Sequence, residues 1–259
     1  MNHQRANMIA RMRRRLKERL RKWLAEDRAT ANRGWHHSLE RRMLQLQAEE
    51  ASASSVLNRR MIDLPAGAIV VDVGANTGTF ARSVRSLWPE AEVHALEADP
   101  STFQQLRKAV GQDPRIHAHE VAVHSHTARL EFRSHPNPLL SSLLDLEPAE
   151  AGIRPILLQA LTLDDWCASA GIAGISMLKV DTEGNDLNVL AGAARALAHG
   201  TLRWAIVEFG IDPADRRHVP LNDFVTLFRG IGFHLKSTGD RGVHGNFIYG
   251  NALFERTPV

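Results

Sequence analysis

The chain has 259 residues, of which 44% are apolar and 24% charged, as in an ordinary soluble globular protein; this length suits one large α/β domain with an appendage, or two small domains. A single cysteine, Cys167, excludes a disulfide framework and a cysteine-rich zinc site, and it suits a reduced, cytoplasmic setting. The formal net charge of +3 is unevenly spread: residues 1–60 carry 15 Arg and Lys against 6 Asp and Glu, so the remainder is acidic, which argues against a body built to wrap a phosphate backbone.

In chain order, residues 8–24 (MIARMRRRLKERLRKWL) fit a helix. Ile9, Met12, Leu16, Leu20, Trp23 and Leu24 recur at helical spacing, and Arg and Lys fill the other faces. A second helix is expected over 38–50, and the SASS at 52–55 reads as a joint. Residues 1–60 are therefore expected to form a basic helical extension, and 61–259 the main domain. The extension lacks the apolar core of a secretory signal, and no run in the chain approaches the ~18 apolar residues of a membrane span. Three uses compete for residues 8–50: packing on the core or on a second copy, lying on an anionic membrane at the inner face, and binding nucleic acid. Nucleic acid ranks last, because an Ile, Leu and Trp stripe is unlike a purely electrostatic tail.

From Ile69 onward, short apolar runs alternate with helical stretches. AIVVDV, AEVHALE and RIHAHEVAV come first, then ISMLKVD, RWAIVEF, FHLK and NFIYGNALF. Such alternation predicts a mostly parallel sheet with helices on both faces. The last two runs are joined only by STGDRGVHG, so an antiparallel edge hairpin is expected. Asp99-Pro100 predicts a capped helix ending at Gly111, and Thr162 with Asp165 predicts another cap. The segment 133–150 reads as irregular.

The turn VVDVGANTGTF carries the chemistry. Gly74 and Gly78 let backbone pass close to a ligand, and the following helix points free N–H groups at it. The dinucleotide pattern G-x-G-x-x-G fails, since Asn76 and Thr79 stand where glycines belong, and no P-loop is present. Asp72, at the strand end, would repel a pyrophosphate and favour an ammonium. Glu97 closes the second strand, where an acid hydrogen-bonds ribose hydroxyls. An acidic strand end, a glycine turn and a ribose-binding acid describe a cationic, phosphate-free nucleoside, and S-adenosylmethionine is that molecule.

The motifs VVDVGANTGTFA, HALEADPSTFQQLRK, LTLDDW and LKVDTEGNDLNVLAGAARAL, ending in AIVEF, resemble the FkbM family of S-adenosylmethionine-dependent methyltransferases. The resemblance covers residues 68–210. It implies a seven-stranded Rossmann-like class I methyltransferase core and O-methylation of a hydroxyl on a sugar, glycan, glycolipid or natural product. Asp72, Gly74, Asn76 and Gly78 match the family's cofactor turn, Glu97 its ribose acid, and Asp181 and Glu183 its fourth-strand motif. The neighbouring positions Ala75, Thr77, Ala98 and Ala122 complete the expected cofactor contacts, together with Asp181. The expected acceptor is a small molecule or glycan. The alternatives are an RNA ribose methyltransferase using Lys179 and Asp181, or a non-catalytic nucleotide-binding or membrane-associated module.

In MLKVDTEGNDLNVL, strand alternation turns Lys179 and Asp181 the same way, with Glu183 close behind. Asp181 and Glu183 are the catalytic candidates, as bases for a sugar hydroxyl that is itself a poor acid. Glu208 is a weaker candidate on the same rim. Two acids so close could hold a divalent metal, but no metal is expected, because nothing beyond them forms a recognisable ligand set in the sequence; further ligands could come from Asp212 or Glu208 in the folded chain. His124, His126, His135, His218 and His244 read as loop or surface residues, and Cys167 as a small buried hydrophobe.

Overall fold

The computed structural model describes residues 56–257 except 136, 138–140, 144–152, 213, 214, 216, 245 and 246. Contacts divide the chain into 1–50 and 51–259, and the description below concerns the second unit. The helices expected over 8–24 and 38–50 lie outside the described residues. Val56 and Leu57, on the extension's side of the boundary expected at residue 60, are buried in the core.

Seven strands form the central sheet: β1 (Ile69–Val73), β2 (Glu92–Glu97), β3 (Ile116–Glu120), β7 (Met177–Val180), β8 (Trp204–Gly210), β9 (Phe233–His244) and β10 (Phe247–Arg256). Their order is β3-β2-β1-β7-β8-β10-β9. Pairings from β3 to β8 are parallel, and β10 runs antiparallel to both neighbours, as the edge hairpin requires. Of the link STGDRGVHG, expected between the last two strands, residues 237–244 are themselves strand, because β9 continues to His244. His244 is thus a strand residue and not a loop residue.

Helices cover both faces: α1 (Thr79–Leu87), α2 (Pro100–Val110), α3 (Leu163–Ser169), α4 (Asp186–Ala191), α5 (Ala194–Ala198) and α6 (Leu221–Gly230). The Asp99 side chain accepts from the N–H groups of Ser101 and Thr102 to start α2, and Thr162 accepts from Asp165 N–H to start α3. The helical stretch that follows the fourth parallel strand is not continuous. It is broken at Gly192 into α4 and α5, where a Cβ would stand 2.2 Å from the carbonyl oxygen of His124.

Strand alternation sorts the core into two layers. Val71, Val73, Leu178, Val180, Ala205 and Val207 pack with Trp166, Val189, Phe224 and Phe228 on one face. Val70, Val93, Met177, Trp204 and Ile206 pack with Phe80, Val84, Phe103 and Leu106 on the other. Cys167 is buried in the first layer, which pushes its thiol up to about 11. On the second face the apolar period ends in charge: Val70 is followed by Asp72, Met177 by Lys179, and Ile206 by Glu208. These three neighbouring strands thus carry a charged row to their carboxyl ends, where β1 and β7 diverge into opposite crossovers.

A second sheet, β4-β6-β5, is formed by β4 (Ala122–Val123), β5 (Ala128–Ser134) and β6 (Arg154–Leu161). It was not anticipated. The run RIHAHEVAV divides at Val121 between the two sheets, and β5 occupies the start of the segment read as irregular.

Candidate active site

The turn after β1 folds around β2 and β7. The N–H groups of Gly74 and Ala75 both donate to the carbonyl of Leu96, at 3.0 and 2.9 Å. Gly74 has φ 81°, and a Cβ on it would lie 1.8 Å from the Asp181 carbonyl oxygen. Gly78 also has φ 81°, and its Cβ would lie 2.7 Å from Leu106 and from Val110 of α2. The sequence reading assigned both glycines to ligand approach. In the folded chain, β7 and α2 fill the space beside them. Between them, Asn76 (φ 48°) and Thr77 are part-exposed, while Ala75 is buried.

Glu97 closes β2 and holds this turn. Its Oε2 accepts from Asn76 N–H and its Oε1 from Asp99 N–H, each at 2.8 Å. Burial raises its pKa to about 7, against the opposing effect of those two N–H groups. Beside it, Ala98 is part-exposed and Ala122 is buried in β4.

Asp72 is fully buried, and burial raises its pKa. The ammonium it faces is that of Lys179, at 3.5 Å, so it is sealed from direct contact with a ligand, contrary to the sequence reading. Lys179 Nζ also donates to Asp181 Oδ2 at 2.8 Å and lies 5.4 Å from the centre of the Phe80 ring. Burial opposes its charge, but Asp181 and Asp72 outweigh burial and raise its pKa. Asp72 thus acts on the rim through Lys179, which fixes one oxygen of Asp181. The Asp181 side chain remains 26% exposed.

The turn DTEGND is held from within. Asp181 N–H donates to Val73, joining β7 to β1 at the point of divergence. The buried Asp186 carboxylate accepts from Thr182 and Gly184 N–H, both at 3.2 Å, and Asn185 Nδ2 donates to the Val123 carbonyl at 2.9 Å. Glu183 takes φ 53°, a left-handed conformation rare for a residue with a Cβ. Its carboxylate lies 3.5 Å from Arg217 Nη1. Its pKa is raised by burial and then by Glu208 and Asp181.

His218 lies in the loop between β8 and α6, as read, but it is buried and not at the surface. Its Nδ1 lies 2.6 Å from Asp215 Oδ2, and its Nε2 lies 3.3 Å from Glu208 Oε2. Tyr249 stacks on the ring at 4.8 Å between centroids. Burial disfavours its charge, but Glu208 and Asp215 raise its pKa to about 9. Burial and Asp181 in turn push Glu208 up to about 8. Asp215 three residues before His218 was the available signal, but strand and helix periodicity say nothing about a loop. Of the other histidines, His124 and His126 lie between β4 and β5, and His135 Nδ1 accepts from Asn137 N–H.

The sheet order, the glycine turn after β1 and the acid closing β2 define a class, the Rossmann-like methyltransferases. A family model described as the methyltransferase FkbM domain matches residues 72–233, and the chain belongs to that family. It is 26% identical over 198 residues to the 2-O-methyltransferase NoeI of Sinorhizobium fredii (strain NBRC 101917 / NGR234), across 71% of this chain and 79% of that protein. It is 28% identical over 223 residues to the 31-O-demethyl-FK506 methyltransferase FkbM of Streptomyces tacrolimicus, across 74% and 82%. The crystal structure of methyltransferase FkbM from Methylobacillus flagellatus KT superposes with a TM-score of 0.54 at 18% identity. It covers 79% of this chain and 47% of that one, a likeness of fold. The chain is a methyltransferase.

Proposed function

We propose that the protein transfers a methyl group from S-adenosylmethionine to a hydroxyl of a sugar, glycan, glycolipid or natural product. The observation that carries this reading is the convergence at the β1/β7 divergence. There the part-exposed turn at Asn76 and Thr77, the Glu97 carboxylate and Asp181 meet on one rim. The two curated relatives described above are named for methylation at oxygen.

The residues fit the cofactor. Glu97 uses one lone pair on each oxygen for backbone N–H groups, and a carboxylate has others to accept ribose hydroxyls. The rim is rich in carboxylates, which suits a ligand with an ammonium and a sulfonium. When bound, S-adenosylmethionine supplies an electrophilic methyl group on positively charged sulfur. Asp181, oriented by Lys179, accepts the acceptor's hydroxyl proton as its oxygen attacks. Lys179 is held in turn by Asp72, so the buried pair keeps the base in one geometry.

Ligand class is tested by thermal unfolding. S-adenosylmethionine and S-adenosylhomocysteine are expected to raise the midpoint, and NAD and ATP to leave it unchanged. Stabilisation by NAD alone would contradict the reading.

Glu97 gives cofactor binding a pH dependence. Its pKa in the free protein is raised to about 7, so it is mostly protonated below that pH. Ribose hydroxyls donate best to the carboxylate, so affinity rises as pH passes from about 6 to 8 and levels off above. Glu97→Gln holds the neutral form at every pH. Its dissociation constant is expected to be flat and roughly ten- to a hundredfold weaker than native at the upper end. A calorimetric series in which both proteins show the same profile would remove Glu97 from the site.

A further inference from the structure

Among the described residues, one group of side chains has metal-ligand chemistry and proximity. Glu183, Glu208 and His218 each offer a ligand atom, and these atoms lie within 4.8 Å of one another. They come from three places: the turn after β7, the end of β8, and the loop between β8 and α6. We infer that this group is a binding site for one hard divalent cation of the magnesium or manganese kind, and that the cation holds the acceptor's hydroxyl groups. The second part rests on the methyl-transfer reading, and the first does not.

The ligand set decides the class of ion. Two carboxylates and one imidazole, with no sulfur, favour an oxygen-preferring cation over a soft one. His218 is prepared as a ligand by Asp215, which takes its Nδ1 at 2.6 Å and leaves Nε2 facing Glu208. A carboxylate behind the second ring nitrogen is the usual partner of a metal-bound histidine, and it fixes the tautomer.

An independent observation points to the same place. Asn251 pairs with Glu208 across the β8–β10 ladder, so the two side chains leave the sheet side by side. Its Oδ1 is buried and accepts no hydrogen bond. A buried carbonyl oxygen without a donor is costly unless something positive lies against it. A cation between Glu208 and His218 provides that partner. Local charge agrees: the five carboxylates of Asp181, Glu183, Asp186, Glu208 and Asp215 gather here against three cationic groups, Lys179, Arg217 and His218, and a bound cation takes the place of the His218 Nε2 proton. A divalent ion offsets much of the excess.

Three or four protein ligands leave positions open on an octahedral ion. Two adjacent hydroxyls of a polyol can fill them, and the bound hydroxyl becomes more acidic. Its proton then passes to Asp181, its oxygen forms the bond to the methyl carbon, and the sulfonium leaves as a neutral thioether. The acceptor class this favours is a vicinal diol.

Manganese serves as the probe, with the full chain free of cofactor. Titration followed by electron paramagnetic resonance is expected to show one Mn2+ bound per chain. Glu208→Gln and His218→Gln should weaken binding tenfold or more. Asn251→Ala, which changes no charge and stands in should those variants fail to fold, should weaken it severalfold. Thermal stabilisation by S-adenosylhomocysteine is measured on each protein as a check of fold. Absence of Mn2+ binding in a native chain that binds S-adenosylhomocysteine would overturn the cation site and leave the transfer reading standing. Mn2+ binding unchanged in all three variants would also overturn it. Mn2+ binding lost in the variants of a chain that ignores S-adenosylhomocysteine would support the site and count against the transfer reading.

Discussion

The Asp181→Asn protein is expected to bind S-adenosylmethionine within about threefold of the native affinity and to turn over about 10²–10⁴ more slowly. The expectation follows from where Asp181 sits. Its Oδ2 is taken by Lys179, its backbone N–H is tied to Val73, and its side chain opens onto the rim between the first and fourth parallel strands. Asparagine preserves the shape and the contact with Lys179 but cannot accept a proton. An interaction that matters mainly in the transition state shows itself in the saturated rate. Single-turnover measurement at saturating cofactor separates the two effects. A raised cofactor dissociation constant with much of the saturated rate intact would instead assign Asp181 to the cofactor's amino group.

Gly74→Ala is expected to destabilise the domain by about 3 kcal/mol or more, a fall in midpoint of roughly 6–12 °C for a domain of this size. Two costs add. The backbone sits at φ 81°, where any Cβ is strained, and the new carbon would stand 1.8 Å from the Asp181 carbonyl oxygen. That oxygen belongs to backbone, so relief requires β1 and β7 to separate at the site itself. Gly171→Ala is the control. Gly171 has φ 71°, and its Cβ would meet nothing within 4 Å, so it carries only the conformational cost of about 1–2 kcal/mol. Equal midpoints for the two variants would mean that the turn does not pack on β7 as described.

These two residues also show what was legible in the sequence. Strand order along the chain, the helix caps at Asp99 and Thr162 and the edge hairpin are local patterns of period, proline and capping residue, and they can be read directly. The position of Gly74 was equally visible, but the reason for it was not. That reason is a backbone oxygen more than a hundred residues away, just as Gly78 answers to Leu106 and Val110 across a helix contact. The apparent ligand for Asp72 was likewise another part of the chain, Lys179, which pairs with it in register across β1 and β7. The second sheet was hidden because its strands β5 and β6 are separated by a proline-bearing stretch, and β4 contributes only two residues. His218 was hidden for a related reason: a loop residue has no period, so its burial between Asp215 and Glu208 exists only in the fold.

The central claim is that a methyl group moves from S-adenosylmethionine to a hydroxyl oxygen of a small molecule or glycan. Incubating the protein with methyl-labelled S-adenosylmethionine and separated fractions of glycans, lipids, small metabolites and RNA tests it most directly. Label is expected in a carbohydrate-bearing or hydroxylated small-molecule fraction, in a form that resists mild alkali as an ether does, and its rate of appearance should fall by about 10²–10⁴ when Asp181→Asn replaces the native chain. Label in RNA alone, or in an alkali-labile ester, would contradict the account.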